Sequence, residues 1–168
     1  MEAEMTKCGD LIKKNGIDIL NSKHHKQTRQ DIQHGNMSVR QHEINVARYS
    51  LLISEKLGIT CNRRALVRGA LLHDFFRYDW HDREHSNLLR LHGLYHPGIA
   101  LKNAEQEFEL SDVEKEIIRK HMWPLTVVPP LCREAWIVSA ADKYCSLMET
   151  IRLHRKNDRK NSRKHQAR

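Results

Sequence analysis

Residues 62–75 read NRRALVRGALLHDF, and this stretch decides the fold. Asn62 is a residue type that caps a helix, since its side-chain oxygen can accept from a free backbone N–H of the first turn. Leu66, Gly69 and Ala70 recur at helical spacing, which predicts an apolar helix to about Phe75. Gly69 is small enough to let a neighbouring helix approach closely. The helix then closes on His73-Asp74. A histidine suits the negative end of a helix dipole, but an acid is disfavoured there. A buried, ionised Asp is costly unless it is paired or bound to a cation.

Upstream, Ser38 followed by Gln41 forms a capping-box pattern and predicts a helix from Val39 to about Leu57. Gly58 suits the left-handed position after its end. His42 shares a stripe with Val46, Tyr49 and Ile53, which places it on the buried face. Before it stand a helix over 6–20, open to a break at Gly16, and a polar segment over 21–37. Downstream, His96-Pro97 fits a helix start with proline at the first helical position, running to about Phe108. Ser111 with Glu114 is a second capping box, opening a helix to about His121. Pro124, Pro129 and Pro130 break the chain before a last helix from Leu131 to about Leu153. Strand signals are nearly absent. The expected fold is all-α, a compact bundle of five to seven helices.

Asp142 repeats the puzzle of Asp74. It lies mid-helix in AWIVSAADKYCSLM, one turn after Val138 and Ser139. Lys143 points roughly 100° away on a regular helix, so it is an imperfect counter-charge and a metal ion is the better one. His96 and His121 sit at helix edges and read as ligands once they are taken with the two buried acids. Four imidazoles and two carboxylates can hold two divalent ions, with Asp74 able to bridge them. A nitrogen-rich set of this kind suits Fe, Mn, Co, Ni or Zn better than Mg or Ca.

The bulk numbers agree with one enzyme-sized domain. The 168 residues suffice for a single core, and 12 histidines are more than structure alone asks for. Seven of the eight net positive charges reside in the last 18 residues, where eight Lys and Arg face a single acid, leaving 21 basic and 20 acidic residues in 1–150. The expected organisation is a polar helical extension over 1–33, a metal-binding domain over 34–153 and a basic, disordered tail over 154–168. Weak, salt-dependent contact of that tail with nucleic acid is the partner it allows. Four widely spaced cysteines and no apolar run of membrane-spanning length point to a cytoplasmic protein with reduced thiols and no membrane partner.

HEINVARYS at His42, GALLHD ending at Asp74 and SAADKY around Asp142 resemble the HD superfamily of metal-dependent phosphohydrolases over about 34–153. HPGIA at His96 and IIRKHMW at His121 resemble the members with a two-metal centre, which hydrolyse dinucleoside polyphosphates and cyclic dinucleotides. The resemblance implies metal ligands His42, His73, Asp74, His96, His121 and Asp142. It also implies cleavage of a phosphoester or phosphoanhydride in a small, nucleotide-like substrate by a metal-activated hydroxide. Asp74, Lys143 and Arg77 are the catalytic candidates, the two cations for stabilising developing charge. Lys120, His34 and His92 are candidates for contacting substrate. Asp79, Asp82, His81 and His85 crowd the segment after the doublet, where one could act as a proton donor or orient a ligand. Phe75-Phe76 stands where many members have Ile-Gly, and Arg77 where monophosphate nucleotidases carry a Glu. The same six ligands in the same order serve di-iron oxygenases that resemble myo-inositol oxygenase. A non-catalytic, metal-stabilised signalling or nucleic-acid-binding module is the third alternative.

Overall fold

The computed structural model describes residues 2–27, 32–34, 37–75 and 89–166. Seven helices follow in chain order: α1 (Glu2–Asn21), α2 (Lys23–Gln27), α3 (Val39–Lys56), α4 (Arg63–Leu72), α5 (Leu89–Glu107), α6 (Asp112–Lys120) and α7 (Arg133–Gln166). Between α2 and α3 a short antiparallel ladder pairs β1 (Ile32–His34) with β2 (Met37–Ser38). The all-α expectation holds, and this ladder is the one addition among the described residues. None of the described helices is long and apolar enough to cross a membrane.

α4 is the centre of the bundle. Every residue from Ala65 to Leu72 is buried, as expected for a helix that meets neighbours on all sides. It packs against α1, α3, α6 and α7. Asn62 caps it by accepting from the Ala65 N–H at 3.1 Å. Gly69 lies under Ile117 of α6, where a Cβ would stand 2.6–2.8 Å from the Ile117 side chain. Gly69→Ala is therefore expected to destabilise the protein by about 1–3 kcal/mol through overpacking. That exceeds the gain of up to about 1 kcal/mol from better helix propensity, and urea unfolding measures the difference.

The caps follow the sequence closely. Ser38 Oγ accepts from the Gln41 N–H, and Gly58 takes φ +62° after α3. The Gln41 amide does not complete the box; it reaches forward to Asn45 Oδ1 at 3.1 Å. At α6 the box is complete, with Ser111 and Glu114 each holding the other's backbone N–H. Gly16 breaks the helical dihedrals of α1 (φ −130°, ψ 20°), and a Cβ there would meet Leu71 Cδ1 at 2.5 Å.

Three expectations need correction. The buried stripe of α3 runs through His42, Glu43, Val46, Ala47, Ser50 and Ser54, while Tyr49 and Ile53 are only half-buried. Val39 and Leu51 are buried on the same helix, which packs against both α4 and α7. Second, α5 starts at Leu89, so Pro97 lies inside it rather than at its first position. Proline biases the preceding residue away from helix without forbidding it. Third, α7 continues to Gln166, beyond the expected end near Leu153. α1 shares the core of the domain through Cys8, Ile12 and Ile19.

Candidate metal centre

The six candidate ligands come from five places and meet in the interior. His42 lies on α3, and His73 and Asp74 on the turn that ends α4. His96 lies on α5, His121 caps α6, and Asp142 lies on α7. None is more than 7% exposed. They form two groups, His42–His73–Asp142 and Asp74–His96–His121, each with ligand atoms within 4.8 Å of one another. Asp74 faces both. Its Oδ1 lies 3.5 Å from His96 Nε2 and 3.5 Å from His121 Nε2, and its Oδ2 lies 3.5 Å from His73 Nε2.

The hydrogen bonds on the far side of three of the rings, His42, His73 and His121, fix which nitrogen carries the proton. His73 Nδ1 donates to the Ala70 carbonyl at 2.8 Å, and His121 Nδ1 to the Ile118 carbonyl at 2.8 Å. A carbonyl can only accept, so Nε2 of each neutral ring is a bare lone pair. His42 Nδ1 donates to Glu149 Oε2 at 3.0 Å, which turns its Nε2 to Asp142 Oδ1 at 3.2 Å. His73 Nε2 is fully buried with no hydrogen-bond partner among the described residues. His96 Nε2 and His121 Nε2 stand 2.8 Å apart. Lone pairs are thus aimed at carboxylate oxygens and at one another, an arrangement that needs positive charge at its centre. Ligand atoms about 2.0–2.2 Å from one ion sit about 3–3.5 Å apart, and the closest pairs here are 2.8–3.7 Å apart, with all atoms of a group within 4.8 Å. The residues present therefore fit a pair of transition-metal ions, with nitrogen and carboxylate donors and no thiolate in either group.

Without metal, protons supply that charge. Burial opposes the imidazolium of His42, yet its hydrogen bonds with Asp142 and Glu149 push it up to about 10. His73, opposed likewise by burial, is raised to about 9 by Asp74 and Asp142. Burial works against both carboxylates as well. The charge of His73 and the adjacent His121 and His96 rings nonetheless hold Asp74 well below the usual range, and the His42 and His73 rings beside its Oδ1 do so for Asp142. The two signs set a window. The histidine contribution is complete below the unfolded value of about 6.5 and is lost as pH rises through 9–10. The aspartate contribution is complete above about 3.9 and is lost as pH falls. Metal-free protein is therefore expected to unfold at less urea at pH 9.5 than at pH 6. Metal-loaded protein should lose less, because the ion replaces the protons.

The surrounding residues hold the ligands in place. Ser139 Oγ donates to the His121 carbonyl at 2.8 Å, and Lys143 Nζ to the same oxygen at 2.9 Å. Lys143 also donates to Ser139 O and Oγ, so its ammonium sits at the C-terminal end of α6, where the helix dipole favours it. Phe75 is fully buried and meets Phe108 and His24 edge to face, while Asn103 Nδ2 donates to its carbonyl at 3.1 Å. The turn bearing the doublet is anchored on α5 in this way, and an apolar ring after the doublet serves that anchoring.

Lys120 is half-buried and directly precedes His121. Arg77, Asp79, His81, Asp82 and His85 lie outside the described residues, as do the side chains of His34 and His92. Two acids escaped the sequence reading. Glu149 is 7% exposed and lies seven residues after Asp142, on the same face of α7; that spacing was the available signal. Glu43 is fully buried, with His25 Nε2 3.0 Å from its Oε2. The His25 Nδ1 in turn lies 2.8 Å from an Arg40 guanidinium nitrogen. Its only signal was its place beside His42.

A family model described as HD domain matches residues 39–147, about two thirds of the chain. No curated protein matches, and no solved structure does.

Proposed function

The chain belongs to the HD-domain family, and from that premise we propose that it is a metal-dependent phosphohydrolase acting on a small, nucleotide-like phosphoester or phosphoanhydride. The observation that carries this reading is the convergence of four Nε2 atoms and two carboxylates in the interior. Divalent ions held by these six residues would supply Lewis acidity for activating water near neutral pH and for polarising a phosphoryl oxygen.

The rest is the work of the chain's own residues. Asp74 presents one oxygen to each ligand group and holds the two together. His73 and His121 are fixed by backbone carbonyls, so their lone pairs need no reorientation when the site fills. Lys143 and Ser139 keep the end of α6, and with it His121, against α7. The near-complete burial of the ligands excludes bulk water and strengthens every charge interaction at the reacting phosphate. Lys120, at the end of α6, is proposed to meet substrate phosphate, with Arg77, His34 and His92 as further proposed contacts. The four free cysteines suit a reducing compartment, and the cytoplasm is the proposed location.

The test joins metal analysis to a substrate screen. Protein from metal-replete expression should carry one or two transition-metal ions per chain. It should release phosphate or nucleotide from phosphomonoesters, dinucleoside polyphosphates or cyclic dinucleotides with Mn, Fe, Co or Ni. Trace metal only would overturn the reading. Oxygen uptake by the iron-loaded protein, with no phosphate released from any substrate, would replace it with the oxygenase.

A further inference from the structure

Glu149 stands on the far side of His42 from the metal centre. Its Oε2 is 3.0 Å from His42 Nδ1, and its Oε1 has no hydrogen-bond partner among the described residues. Its side chain is 4% exposed. A carboxylate so placed is costly unless its charge acts on something, and what it touches is a ring whose other nitrogen faces Asp142 Oδ1 at 3.2 Å. The other two rings with a mapped Nδ1, His73 and His121, donate to neutral backbone carbonyls of their own helix, three residues back. His42 is thus unlike His73 and His121: an anion stands behind it, where they have a peptide carbonyl.

We infer that Glu149 is a positioning residue that orients His42 and strengthens its Nε2 as a donor, tightening metal binding at the His42–His73–Asp142 position. The inference rests on the metal-centre reading above. The physical reason is that a carboxylate accepting from Nδ1–H locks the tautomer with Nε2 bare, and its charge strengthens the lone pair toward a cation. A backbone carbonyl locks the tautomer but adds no charge. Glu149 lies almost two helical turns beyond Asp142 on α7. One helix therefore supplies both a ligand to this position and the group behind its neighbour.

Co(II) binding to the metal-stripped full chain tests this, read from the visible absorption of the bound ion and competition with a chelator. His121→Ala leaves the His42 group. In that background Glu149→Ala should weaken Co(II) binding about 10–100-fold. Glu149→Gln, whose amide oxygen still accepts from Nδ1–H, should weaken it less and guards against a folding defect. His73→Ala leaves the Asp74 group, where Glu149→Ala should change nothing. Unchanged affinity in the first background, or an equal loss in the second, overturns the inference. Wild-type protein that binds no Co(II) overturns the metal reading and this inference together. Wild-type protein that binds two ions indifferently to Glu149 overturns this inference alone.

Discussion

Asp74→Ala is expected to yield a folded protein that has lost half or more of its bound metal, with a rate lowered by on the order of 10³-fold or more. The metal loss follows from geometry. Asp74 is the side chain that faces both ligand groups, with Oδ2 toward His73 and Oδ1 toward His96 and His121. Without it, one group keeps a single carboxylate, Asp142, and the other keeps two imidazoles and no charge. The rate estimate follows because bound ions stabilise the developing charge by several kcal/mol, and each 1.36 kcal/mol is tenfold. The fold should survive. The imidazoles that lose their partner can be neutral, and the apolar layer of α4 beneath them is untouched. Metal content by elemental analysis, helicity by circular dichroism and phosphate release report the three outcomes separately. Unfolding of Asp74→Ala would instead mark the metal as structural, as in a binding module.

The two acids of the candidate ligand set were legible in the sequence because each carries a local conflict. Asp74 sits where a helix dipole disfavours an acid, and Asp142 sits inside an apolar helix. Those conflicts need no partner to be seen. His96 and His121 showed no such conflict and gained meaning only from the order of the set.

What was illegible depends on contacts between distant residues. The His42–Glu149 hydrogen bond joins positions 107 residues apart; the seven-residue spacing marks Glu149 as sharing a face with Asp142, but it does not reveal His42 as the partner. The stripe of α3 was misjudged for the same reason. Tyr49 and Ile53 are the bulkier apolar side chains, yet Ala47, Ser50 and Ser54 are the buried ones, on a helix that packs against both α4 and α7. Pro97 marked a helix start by local preference. The structure carries the helix through it, with the His96 ring held against His121 and Asp74.

Arg68→Met is expected to cost about 3–5 kcal/mol, the usual effect of leaving a buried charge without its partner. Arg63 and Arg64 at the start of α4 are exposed, while Arg68 is 2% exposed. Its Nε lies 2.8 Å from Glu114 Oε1, its Nη1 donates to Asp18, and Nη2 reaches the Glu109 carbonyl at 3.4 Å. One guanidinium thus joins α4 to α1, to α6 and to the segment before α6. Glu114 is the partner that suffers most, since it is 3% exposed. Its Oε2 remains engaged by the Ser111 N–H at 2.7 Å, so the charge stays in place after the arginine is gone. Asp18, half-exposed, can turn to water. At about 2–4 °C per kcal/mol for a chain of this size, the melting temperature should fall by roughly 10 °C or more. Glu114→Gln in the same protein should restore much of the loss, because it removes the stranded charge while its side-chain oxygen can still accept from Ser111. A double-mutant cycle in urea measures that coupling. If the two losses simply add, the pair is not what holds α4 to α6.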